Sequence, residues 1–165
     1  MIKWLPVICV LLFSCSRKDD SICSTPGNDS LEYCLCHEFD GAKIQDLRIR
    51  NGKVILSLCN QPDTCTSFCN AEKRDEWSEL KAQKMMIALP AMIFGLSESV
   101  GIVSIEFKDK SSIWQGVYTR AEFEEAIGQQ SVELLDGWKK ARFQADVLQN
   151  KSNREQIFNL FVVRY

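Results

Sequence analysis

All eight cysteines lie in the first 69 residues, as Cys9, Cys15, Cys23, Cys34, Cys36, Cys59, Cys65 and Cys69, and the rest of the chain has none. That asymmetry divides the folding problem. The first part is poor in large apolar residues and has covalent cross-links available to it, whereas everything after Cys69 has to be held by packing alone. Whether cysteines cross-link depends on the redox compartment, and the N-terminus speaks to that. Lys3 precedes an apolar run from Trp4 to Phe13, and the charged Arg17-Lys18-Asp19-Asp20 follows. A run of about ten residues falls short of the roughly 20 that span a bilayer as a helix, and its one-sided positive flank fits a cleavable export signal. An exported chain keeps its disulfides.

The signal ends in Leu12-Phe13-Ser14-Cys15. Leu, a variable residue and a small residue directly before Cys resemble the lipobox of bacterial lipoproteins, in which the cysteine sulfur receives a diacylglycerol and becomes the new N-terminus. The resemblance implies removal of residues 1–14 as a lipoprotein signal peptide and lipidation at Cys15. It also implies attachment to the bacterial cell envelope through that lipid. By the enterobacterial sorting pattern, Ser16 directs such a protein to the outer membrane, facing the periplasm or the cell surface. The resemblance is confined to the leader and implies nothing about the domain that follows. An ordinary secretory leader on a disulfide-rich protein without a lipid anchor is the alternative. Two sequons, Asn28-Asp29-Ser30 and Asn150-Lys151-Ser152, match the acceptor pattern of a eukaryotic secreted protein.

With Cys9 lost in the leader and Cys15 lipidated, Cys23, Cys34, Cys36, Cys59, Cys65 and Cys69 remain, an even set expected to form three disulfides. A Cys34 to Cys36 bridge would close a very tight ring, so those two reach different partners; the connectivity is otherwise open. A metal reading competes for Cys34-Leu35-Cys36-His37 with Cys59, Cys65 and Cys69. Their spacing is not the paired Cys-x2-Cys of zinc ribbons or fingers, so no metal and no cofactor is expected. A redox role lacks a Cys-x-x-Cys.

Residues 15–30 are rich in Ser, Asp, Asn, Pro and Gly and read as a solvated polar tether, leaving 31–165 as one domain of ordinary size. The formal net charge of −2 becomes close to −3 once Lys3 leaves with the signal. Neither that balance nor export suits nucleic acid as a partner.

The first firm element is expected near Ile44. Leu47-Arg48-Ile49-Arg50 and Lys53-Val54-Ile55-Leu56 alternate around Asn51-Gly52, the strongest short hairpin signal, because both turn residues tolerate positive φ. This register sets Ile49 against Val54 and Leu47 against Leu56, with Arg48, Arg50 and Lys53 on the opposite, wet face. Asn70 is expected to cap a helix running to about Leu89, where Pro90 must end, kink or restart it. A second hairpin follows, with Val103, Ile105 and Phe107 on one face of its first strand and Trp114 and Tyr118 on one side of the returning strand. At Thr119, Glu122 completes a capping box and Tyr118 is placed to staple Phe123. The helix begun there reads from Arg120 into the 140s, with Gly128 and Gly137 weakening or breaking it. Ile157 to Val163 reads as a closing strand. The order β-β-α-β-β-α-β gives an α+β fold with a mainly antiparallel sheet and a disulfide-stapled N-terminal region.

Catalytic constellations are meagre. His37 is the sole histidine, and Gly-x-Ser-x-Gly, His-Glu-x-x-His, Walker and dinucleotide patterns are all missing. Glu124 and Glu125 are adjacent on a helix and point too far apart to flank one reacting bond. No catalytic residue is therefore assigned. The favoured class is a noncatalytic, lipid-anchored interaction module with an envelope protein as partner. An envelope hydrolase or metal-handling protein, its site assembled from distant residues, is the alternative. Two stretches are candidate contact surfaces: the cationic face of Arg48, Arg50 and Lys53, which otherwise reads as an ordinary solvated face, and the uncharged segment from Met85 to Leu96, which reads first as a buried core helix or helix pair and is a contact surface only if Met92 and Phe94, its probes, are exposed.

Overall fold

The computed structural model describes residues 28–37, 43–61, 65–69, 76–135 and 137–165. The leader, the tether as far as residue 27, Cys15, Cys23 and Asn70 lie outside the described residues. Five strands form one sheet in sequential order: β1 (Ile44–Arg50), β2 (Lys53–Cys59), β3 (Ile102–Lys108), β4 (Ile113–Thr119) and β5 (Val162–Arg164). All neighbours are antiparallel except β2 and β3, which run parallel and are joined through helix α2 (Glu79–Leu96). The fold is α+β with a mainly antiparallel sheet.

Both hairpins have the register read from their sequences. Ile49 pairs with Val54 and Leu47 with Leu56, and the turn places Asn51 at φ 49° and Gly52 at φ 71°. Because side chains alternate across a strand, the pairings assemble rows. Ile49, Val54, Val103 and Tyr118 make one inner row; Leu47, Leu56, Ile105, Gly116 and Val162 make the next. Within these rows Val54, Leu56, Val103, Ile105 and Tyr118 are at most 1% exposed.

Gly116 is required where it stands. Tyr118 leans back over it, and a Cβ at residue 116 would come within 2.6 Å of the Tyr118 hydroxyl. The ring is fixed from above by Phe123 and Phe161, with centroids 5.8 and 5.1 Å away, so it cannot step aside. The Phe123 contact is also the staple expected at the start of α3 (Arg120–Ile127), and Thr119 is its N-cap: the Thr119 hydroxyl accepts from the Glu122 N–H and donates to the Glu122 carboxylate, a bond from side chain to side chain where a capping box would use the Thr119 N–H.

The helices depart from the sequence expectation in four places. First, α1 (Asn28–His37) precedes β1, burying Leu31, Cys34 and Leu35 at helical spacing. Second, α2 starts at Ser78, whose hydroxyl accepts from the Lys81 N–H at 3.2 Å, and continues through Pro90 to Leu96. Proline removes one helical hydrogen bond. Here Met86, Ile87, Leu89, Pro90, Ala91, Ile93 and Phe94 are all buried, and packing around most of the helix outweighs that loss. Third, the helix begun at Arg120 stops at Gly128, which adopts the left-handed conformation at φ 71°. A 3-10 turn (Ser131–Leu135), α4 (Gly137–Phe143) and a π-helical stretch (Gln144–Gln149) follow. Fourth, the expected closing strand is mostly helix. Asn150 caps α5 (Lys151–Phe161), which turns Arg154, Ile157 and Phe158 inward, and only Val162–Arg164 joins the sheet.

Arg120 ties the layers together. Its guanidinium donates to the Ser97 carbonyl at 2.5 Å and the Val100 carbonyl at 2.9 Å beyond the C-terminus of α2, pairs with Glu124, and lies 4.9 Å over the Phe94 ring. In the N-terminal part Cys36 is bridged to Cys69 and Cys59 to Cys65, with Cα separations of 5.4 and 6.0 Å. Cys34 is disulfide-bonded too, and not to Cys36. Cys34 and Cys36 thus reach different partners.

Candidate binding face

Among the described residues the helices cover one side of the sheet. Among the described residues the other side is open, and the strand pairings fix what it presents. Arg50, Lys53, Ile102 and Thr119 form one row across β1 to β4; Arg48, Ile55, Ser104 and Val117 form the next; Asp46, Ser57, Glu106, Gln115 and Val163 form the third. A shallow depression of about 460 Å³ occupies the middle, lined by Asp46, Arg48, Ile55, Ser104, Glu106 and Gln115 among others. The face's β1–β3 half carries the charged side chains, with Ile55 and the exposed Ile102 among them. Its β4–β5 margin is apolar, with Val117 56% and Val163 55% exposed.

Two ion pairs order the charged half. Arg48 Nε is 2.7 Å from Asp46 Oδ2, and Lys108 Nζ is 2.9 Å from Glu106 Oε1. Gln115 donates to the other Glu106 oxygen at 3.2 Å. The Lys108 hydrogen bond and charge, with that Gln115 bond, outweigh partial burial and hold the Glu106 carboxyl below the usual carboxylate range. Glu106 is therefore an ionised acceptor at neutral pH. The face offers guanidinium and ammonium donors, carboxylate acceptors and exposed β-branched side chains, a set that recognises another surface.

The cationic residues singled out in the sequence do come together: Arg48, Arg50 and Lys53 share this face and are exposed. The Met85 to Leu96 segment does not belong with them. Phe94 has no exposed surface and Met92 is half-buried against the core, so this segment is no contact surface; its apolar character is spent inside the molecule. The acidic partners Asp46 and Glu106, Gln115 and the apolar margin went unread. Their signal was available in the strand alternation, since Glu106 and Val117 sit at wet positions of the second hairpin.

A second depression, of about 330 Å³, lies beside Gly128 and the π-helical stretch, lined by Gln129, Glu133, Arg142 and Asp146 among others. Arg142 and Asp146 are paired along one wall of it, one helical turn apart, at 3.1 Å. Among the described residues no group of three or more His, Cys, Asp or Glu is placed to hold a metal ion, and no helix is long and apolar enough to cross a membrane. Comparison with protein-family models, with curated proteins and with solved structures finds no match.

Proposed function

We propose that the protein is a lipid-anchored component of the bacterial envelope that works as a binding module, and that the open face of the sheet is its contact surface for an envelope protein. The observation that carries this reading is the open face itself. Five strands present ordered charges beside exposed Val117 and Val163, while the opposite side carries the core. The address supports it independently: Lys3 and the short apolar run, then Leu12-Phe13-Ser14-Cys15, then Ser16. The disulfides suit an exported chain.

Two measurements test the two halves. Mass spectrometry of the mature N-terminus should find a diacylated Cys15; an unmodified peptide beginning at Cys15 or later removes the anchor. For the contact surface, a photo-crosslinking residue placed at Val117 should give a discrete adduct in intact envelope, and the same residue at Glu155 on α5 should not. Absence of an adduct from Val117, or the same adducts from both positions, contradicts the binding face.

A further inference from the structure

β1 is an edge strand, and the backbone along part of that edge is unpaired. Arg50 and Lys53 flank a two-residue turn, so they exchange both of their backbone bonds, and the antiparallel alternation gives the same exchange to Arg48 with Ile55. The N–H and C=O of Leu47 and Ile49 therefore point away from β2, toward the side where no further strand lies. Among the described residues they have no backbone partner, whereas the Ile44 carbonyl at the start of the same strand accepts from the Phe68 N–H at 2.7 Å. Among the described residues the beginning of this edge is covered and the remainder is open.

The flanking side chains are of two kinds. Arg48 and Arg50 stand exposed on the open face with Lys53 directly opposite Arg50, and Arg50 and Lys53 have no acidic partner among the described residues. Like charges directly opposed weaken a strand pair, and an added anion relieves that repulsion. On the other side of the edge, Ile49 lies half-buried at the margin of the core.

We infer that this edge takes an extended acidic segment of a protein partner as an added strand beside β1, its acidic side chains over Arg48, Arg50 and Lys53 and its alternate apolar side chains against Ile49. Strand addition supplies main-chain bonds for affinity and alternate side chains for specificity. A second copy is disfavoured, because pairing two such edges brings Arg48 and Arg50 of both chains together. An anionic lipid headgroup does not present N–H and C=O groups alternating at the spacing of a strand, which the Leu47 and Ile49 backbone groups require. The inference rests on the binding-module reading and names the chemistry of its partner.

The test uses the processed protein in nonionic detergent and a fluorescent peptide of about eight residues alternating glutamate and valine, the length of an ordinary strand. The peptide should bind, with hydrogen-exchange protection appearing at Leu47 and Ile49. N-methylating one alternate set of its residues should abolish binding and the other set should leave it, because only one set of N–H groups faces β1. The R48E/R50E variant should lose affinity by about ten-fold or more and prefer an alternating lysine and valine peptide. Binding indifferent to both methylation patterns, an unchanged preference in R48E/R50E, or binding to phosphatidylglycerol vesicles in place of the peptide would overturn the inference. If the peptide fails while the Val117 adduct persists, strand addition falls and the binding module stands. If both fail, both readings fall.

Discussion

The two faces of the sheet are built from the same strands in the same register, yet they differ in almost every other respect. On the inner face Val54, Leu56, Val103, Ile105 and Tyr118 are buried at 1% exposure or less, and Phe107 and Trp114 pack with centroids 5.2 Å apart. On the outer face ion pairs alternate with Ile55, Ser104, Val117 and Val163. A period of two allows each strand to satisfy both demands at once. The inner face carries nearly all of the hydrophobic stabilisation, so the outer residues are free to be chosen for contact.

The sharpest way to break this comparison is one substitution made on each face. Val103→Asp should cost about 4 kcal/mol or more and leave the domain unfolded, since it buries an unpaired carboxylate among apolar side chains. Val117→Asp, on the neighbouring strand but facing out, should stay within about 0.5 kcal/mol of the parent in urea unfolding. Equal losses at the two positions would mean that the outer face is covered and structural.

Gly116→Ala probes the tightest point of the inner face. The new methyl meets the Tyr118 ring, which Phe123 and Phe161 hold in place, and overpacking of this kind costs about 1–3 kcal/mol. Chemical denaturation measures it directly.

Tyr118→Phe should act oppositely and more weakly. The Tyr118 hydroxyl is buried without a partner, so its removal should leave stability unchanged or raise it by up to about 1 kcal/mol at neutral pH. Burial pushes that hydroxyl well above its ordinary value. The folded protein therefore keeps a proton that the unfolded chain releases near pH 10, roughly. Its contribution is complete below that pH and is lost as pH rises, so the parent should weaken between about pH 9 and about pH 11 more steeply than the variant. Parallel slopes would contradict the assignment.

The smallest effect belongs to Glu106. Its lowered pKa contributes stability above the usual carboxylate range, and that contribution is lost as pH falls through the lowered value. Lys108→Ala should raise the pH at which the Glu106 carboxyl titrates by NMR, while unfolding midpoints at neutral pH barely move, as expected of an exposed pair.

Much of this contrast was legible in the sequence. Asn51-Gly52 fixed one hairpin and the alternation of Val103, Ile105 and Phe107 against Trp114 and Tyr118 the other, because turn chemistry and a period of two are local properties. Helix ends were harder. Ile157 to Val163 looks β-rich, but Asn150 caps a helix that uses Ile157 and Phe158 three and four residues after Arg154, and a short apolar run does not by itself distinguish the two. Pro90 stays helical because of what surrounds α2, which no local pattern reveals. The cationic residues of the contact face were found, and the Arg48–Asp46 and Lys108–Glu106 pairs each lie two residues apart on one strand, whereas the rows that bring Asp46 and Glu106 onto one face depend on strands distant in sequence. Phe94 could be read both as core and as a contact candidate because an uncharged run looks alike whether it is covered by a partner or by its own chain; it is core.

The most direct test of a contact face separate from the fold is affinity capture from detergent-solubilised envelope with R48E/R50E beside the parent, thermal unfolding being measured on the same samples. The account predicts that the variant melts within about 2 °C of the parent, because exposed charges contribute little to stability, and that it loses the captured partner. Capture equal to the parent by a variant that melts normally would contradict the account.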